Sequence, residues 1–192
     1  MKTEIIFLLD RSGSMGGLEK DTIGGFNALV QKQCKLEGET ILTTVLFDHQ
    51  YELLWNGIDA RDVRLTEEDY FVKGSTALLD AIGKAIMDVS FRLSNTSLEK
   101  RPDNVLFVIT TDGFENSSSH YSYKQVKKMI MDQQENQGWE FIFLGANIDA
   151  AAEGGNLGIN VENSFSFEAT DRGVDAMYGL VHEELSIRRK EE

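Results

Sequence analysis

Three apolar runs limit what this chain can fold into. Glu4–Leu9, Asn104–Thr110 and Trp139–Leu144 each place apolar side chains at consecutive positions over a strand's length. Such a run offers no polar face to water, so it belongs to a sheet covered on both sides. Between the runs the period changes from strand to helix. Ile23, Phe26, Val30 and Cys34 share one face of a helix over Leu18–Lys35. Leu78, Ile82, Ile86, Val89 and Leu93 mark a second, and Val174, Met177, Val181 and Leu185 a last one over Asp171–Arg188. Ser122 with Gln125 reads as a capping box opening a helix through Gln134. Thr40–Phe47 and Tyr51–Trp55 read as a hairpin across Asp48–Gln50, Ile148–Gly154 as a short helix and Ser164–Phe167 as a short strand.

Strand alternating with helix implies a doubly wound α/β domain, a mostly parallel sheet of about six strands with helices on both faces. The chain has 192 residues, which suits one domain over 1–192 at ~100–200 residues per domain. In such a sheet ligands bind beyond the carboxyl ends of the strands, where strand order reverses. The residues just after each apolar run are therefore the ones to inspect.

Composition excludes several functions first. The net charge is −13, and the 19 Lys and Arg are scattered along the sequence, which argues against a phosphate-backbone partner. The cluster Arg188-Arg189-Lys190 suits the negative end of a helix dipole. No apolar run approaches the ~20 residues of a membrane span, and residues 1–10 do not read as a signal peptide. Cys34 is the only cysteine, so no internal disulfide forms. These features lead us to expect a protein of the cytoplasm.

Asp10-Arg11-Ser12-Gly13-Ser14 follows the first run, Thr110-Thr111-Asp112-Gly113 closes another, and Lys73-Gly74-Ser75-Thr76 precedes the second long helix. The topology should bring all three to one edge of the sheet. They supply two carboxylates and several hydroxyls, and oxygen-only ligands select a hard cation such as Mg2+. Gly13, Gly16 and Gly17 would let the first segment curl round an ion. A cation would also remove the repulsion between the carboxylates. Taken singly, Asp10 reads as a cap, Ser12 and Ser14 as loop residues, Thr76 as a helix cap and Asp112 as a turn residue.

Asp10-x-Ser12-x-Ser14 with Thr76 and Asp112 resembles the metal-ion-dependent adhesion site, or MIDAS, of von Willebrand factor A domains. The segments Gly-Ser-Thr-Ala-Leu-Leu-Asp-Ala-Ile around Thr76 and Ile-Thr-Thr-Asp-Gly at Asp112 resemble the family as well, and the likeness runs from Glu4 to about Arg188. The resemblance implies that Ser12 and Ser14 ligate the metal directly, and Thr76 in the ligand-competent state, with Asp10 and Asp112 acting largely through water. It implies Mg2+ as the ion, with Mn2+ and Ca2+ as alternatives, and one coordination position left for the Asp or Glu of a protein partner. It implies a stand-alone bacterial intracellular domain that is no enzyme, and, from adhesion relatives, a last helix able to move.

Around the site, Glu115, Asn116 and Ser117 are candidates for the partner surface. Asp80 reads as a solvated helix residue or as one that supports the site from behind its ligands, and His49, His120 and His182 are dispersed. Two alternatives stand beside the binding module. One is a Mg2+-dependent phosphatase of the haloacid-dehalogenase type with Asp10 as nucleophile, although Ser12 occupies the place of the expected second aspartate. The other is a structural scaffold whose metal site is unused. A nucleotide site is disfavoured, because Ser12–Gly17 lacks the Gly-Lys-Ser/Thr ending of a phosphate loop.

Overall fold

The structure is a computed structural model and describes residues 1–189; Lys190, the end of the basic cluster, and Glu191 and Glu192 lie outside the described residues. The elements run β1 (Lys2–Asp10), α1 (Glu19–Gln33), β2 (Glu39–Phe47), β3 (Tyr51–Asp59), α2 (Leu78–Ser94), β4 (Asn104–Thr111), α3 (Tyr123–Gln137), β5 (Glu140–Ala146), α4 (Ala150–Asn156), β6 (Ser164–Phe167) and α5 (Asp171–Arg188). The sheet order is β3-β2-β1-β4-β5-β6. Only β3 is antiparallel to its neighbour. The fold is thus the doubly wound α/β architecture expected from the sequence.

The consecutive apolar residues of the central strands divide between two cores. Ile6 and Leu8 of β1, with Phe107 and Ile109 of β4, pack under α2 and α3. Ile5, Phe7 and Leu9, with Leu106 and Val108, pack under α1 and α5. All of these side chains are at most 1% exposed, and each contributes about 1.5–3 kcal/mol of burial. Covering both faces is what the absence of strand alternation demands.

Strand order reverses between β1 and β4, which pair from Thr3 with Asn104 through Leu9 with Thr110. Asp10 and Asp112 therefore leave the sheet side by side. β3 continues to Asp59, past the Trp55 end expected from sequence. It does so across two register shifts against β2, which let the strand bend and carry on.

Candidate metal site at the strand ends

Asp10 is 2% exposed and organises the edge of the sheet. Its Oδ1 accepts from the Ser12 N–H at 2.7 Å, and its Oδ2 from the Thr111 hydroxyl at 2.9 Å and the Asp112 N–H at 3.0 Å. One carboxylate thus ties the loop after β1 to the end of β4. The Tyr70 hydroxyl donates to the Asp10 carbonyl at 2.7 Å. Arg11, 2% exposed, donates to Glu52 at 2.5 Å and faces Asp48 at 3.7 Å, so this buried cation is paired.

The loop then turns through a 3-10 turn at Gly13–Met15. Ser12 Oγ and Ser14 Oγ lie 3.1 Å apart, and the Ser14 hydroxyl donates to the Asp112 carbonyl at 2.9 Å. Among the glycines of this loop the left-handed backbone sits at Gly17, and on the third segment at Gly74. At Gly74, φ is 69° and the His49 ring packs where a Cβ would stand. The Gly74 carbonyl accepts from the Gly13 N–H at 3.0 Å, and the Ala77 N–H donates to the Asp48 carbonyl at 2.9 Å. These bonds dock the third segment against the first.

Thr76, 4% exposed, does not cap α2, whose N-cap is Ala77. It is held by a reciprocal pair: its N–H donates to Asn116 Oδ1 at 2.9 Å, and the Asn116 N–H donates to its carbonyl at 3.0 Å. Glu115 and Ser118 supply the cap instead, accepting from the Leu79 and Asp80 N–H groups at 2.8 and 3.0 Å. The Ser117 hydroxyl donates to Asn116 Oδ1 and pairs with the Ser75 hydroxyl, each at 2.8 Å. The loop residues expected to meet a partner therefore fasten the site, and among the three only Asn116 is exposed.

Of the two readings of Asp80, the supporting one fits its hydrogen bonds. Its carboxylate accepts from the backbone N–H groups of Ser119, His120 and Tyr121 at 2.9–3.0 Å, and His120 Nδ1 lies at 3.2 Å. It is the post around which the 115–121 loop winds. Burial pushes its carboxyl up, but the hydrogen bonds from Ser119, His120 and Tyr121 outweigh burial and hold it below the usual range. His49 lies beside Gly74, and His182 stands within 3.0 Å of Gln33 Nε2.

Asp112 is 3% exposed. Burial, and the charge of Asp10 beside it, push its carboxyl above the usual range, against the pull of Asn147 and Ser14. Asn147 was not singled out in the sequence. It follows β5, has φ 58°, and its side-chain amide donates to Asp112 Oδ1. An asparagine directly after an apolar strand was the available signal, since Asn tolerates this backbone region.

The donors suit a hard cation: two hydroxyls together, a third on the docked segment, and two carboxylates whose repulsion a cation would relieve. Among the described residues no group of three His, Cys, Asp or Glu side chains is placed to hold a metal, so a cation here would draw on the hydroxyls.

No protein-family model and no curated protein matches the sequence. Solved structures do resemble it. Proximal thread matrix protein 1 from the mussel byssus is 16% identical with a TM-score of 0.65, over 96% of this chain and 46% of that one. This chain thus spans about half of that protein; a further structure of it has a zinc-occupied MIDAS motif, at 14% identity and TM-score 0.62, over 95% of this chain and 45% of that one. The vWF domain of the type V pili tip protein of Porphyromonas gingivalis is 12% identical with a TM-score of 0.68, over 99% of this chain and 97% of that one. The manganese-loaded TRAP protein of Plasmodium vivax is 22% identical with a TM-score of 0.56, over 75% of this chain and 57% of that one. The described residues have the fold of a von Willebrand factor A domain.

Proposed function

We propose that this chain is a metal-dependent protein-binding module. Ser12, Ser14 and Thr76 would ligate a divalent cation, Mg2+ by preference, with Asp10 and Asp112 holding its water shell. The cation would supply an electrophilic centre for an Asp or Glu of a partner protein. The observation that carries this reading is the division of labour at the strand ends. Asp10 accepts three hydrogen bonds within the fold, while the Ser12 and Ser14 hydroxyls stand 3.1 Å apart with Ser14 exposed. Few direct carboxylate ligands would leave the cation avid for an external one.

Metal-loaded neighbours, one with zinc in a MIDAS motif and one with manganese, support a divalent cation on this fold. The reading is non-enzymatic: both oxygens of Asp10 are engaged and the side chain is buried, which suits a scaffold better than a nucleophile. Asn116 and Ser117 would border the approaching partner. The module would act in the cytoplasm, where the lone Cys34 thiol stays reduced; cell fractionation checks that placement. The decisive experiment is affinity capture from lysate with the chain in Mg2+, the chain in EDTA, and Asp10→Ala in Mg2+. A protein retained only by the first supports the reading. Capture that persists unchanged in the other two overturns it.

A further inference from the structure

A groove lies between α1 and the chain that follows β3. Asn27 on α1 clamps that chain, its amide donating to the Leu65 carbonyl and its Oδ1 accepting from the Leu65 N–H, both at 2.9 Å. Beside the clamp are a hollow of about 340 Å³ reaching to Lys20 and another of about 480 Å³ reaching to Lys35. Asn27, Gln31 and Arg64 line both, so the two hollows form one continuous groove. From Lys20 to Lys35 it follows the helix for roughly 20 Å at 1.5 Å per residue.

The charge of this groove opposes that of the protein. Net charge is −13, yet Lys20, Lys35, Arg61 and Arg64 line the groove against a single carboxylate, Glu67. Arg61 is matched by Asp59 at 2.6 Å. Among the described residues Lys20, Lys35 and Arg64 form no ion pair. The remaining walls are mainly aliphatic, with Ile23 in one hollow and Val30, Ala60 and Val63, beside Cys34, in the other. No aromatic ring lines either hollow, so a nucleic-acid strand would find no stacking surface.

We infer that this groove is a second docking surface, for an acidic segment of a partner protein that also carries aliphatic side chains. Its carboxylates pair with Lys20, Arg64 and Lys35, and its aliphatic side chains fill the hollows on either side of the Asn27–Leu65 clamp. Charge complementarity sets register and association rate, and the hollows supply the apolar anchoring. This surface stands apart from the metal site and does not depend on it.

The test is calorimetric titration of the full chain, in EDTA and in Mg2+, with a synthetic peptide in which glutamates alternate with leucines. Expected is saturable binding of equal strength in both buffers, weakened roughly tenfold or more by Lys35→Glu with Arg64→Glu. Ala28→Trp, at an exposed position lining the smaller hollow, blocks the groove by shape and is expected to weaken binding as well. Circular dichroism confirms that each variant folds. The inference is overturned by absence of binding, by binding that survives both kinds of variant, or by binding that requires Mg2+ and disappears in Asp10→Ala. An oligonucleotide binding as tightly as the peptide overturns the assignment to a peptide.

Discussion

Replacing Asp10 by asparagine separates a residue that builds the site from residues that would only ligate. The carboxylate accepts from the Ser12 N–H through one oxygen, and from the Thr111 hydroxyl and the Asp112 N–H through the other. An amide keeps one acceptor and turns the other into a donor. Whichever way it lies, the backbone N–H of Ser12 or of Asp112 faces an NH2 group. Each hydrogen bond to a charged acceptor contributes about 1.5–3 kcal/mol, and a buried donor left unpaired costs about 1–3 kcal/mol. Relief of the repulsion on Asp112, whose carboxyl is raised by burial and by the charge of Asp10, offsets part of this. A net loss of about 2 kcal/mol in EDTA follows, which for a chain of this size lowers Tm by about 4–8 °C. Ser14→Ala, at an exposed hydroxyl, forfeits the bond to the Asp112 carbonyl and the contact with the Ser12 hydroxyl and, with water able to replace both, should cost about 1 kcal/mol or less in EDTA. Mg2+ should stabilise the parent, and both variants should lose that extra stability. Thermal melts of the three proteins with and without Mg2+ decide it. An Asp10→Asn protein as stable as the parent in EDTA refutes the organising role argued for this side chain.

Asp80→Ala removes the acceptor of three backbone N–H groups and should cost about 1–2 kcal/mol near neutral pH, since water reaches part of the loop. Because the Asp80 carboxyl is held below its ordinary value of 3.8, its contribution is complete above that pH and is lost as pH falls through the lower folded-state value; the gap between parent and variant in urea unfolding should therefore narrow only below pH 3.8. Asn147→Ala should weaken Mg2+ binding in a metal titration, because a left-handed alanine costs about 1–2 kcal/mol and Asp112 loses its side-chain partner. Asn147→Gly should restore stability without restoring affinity. Gly25→Ala should destabilise by about 1–3 kcal/mol in urea, since its Cβ would meet the buried Tyr178 ring where α1 crosses α5.

How much could be read in advance followed from the range of the interactions. The central strands were legible because an unbroken apolar run has one stable place. The hydroxyl-and-carboxylate set was legible because topology alone carries Asp10 and Asp112 to adjacent strand ends. Asp80 was left between two readings because its helical period is that of a solvated residue; only the folded 115–121 loop supplies the N–H groups it accepts. Glu115 and Asn116 read as a polar surface loop for the same reason, their partners on α2 and Thr76 lying some 40 residues away. The cations also read as scattered. Lys20, Lys35, Arg61 and Arg64 line one groove only because Asn27 pins Leu65 to α1.

The Asp10 to Thr111 hydrogen bond closes a span of 101 residues, and this has a consequence in time. Contacts so distant along the chain form only after the loop entropy between them has been overcome. The strand ends therefore meet late in folding, and a cation would find the proposed ligands assembled only in the finished domain. Such an ion would not nucleate the fold; it would delay its loss. In stopped-flow mixing, Mg2+ should slow unfolding and leave the refolding rate unchanged; under the proposed function the metal would act as a latch and not as a seed.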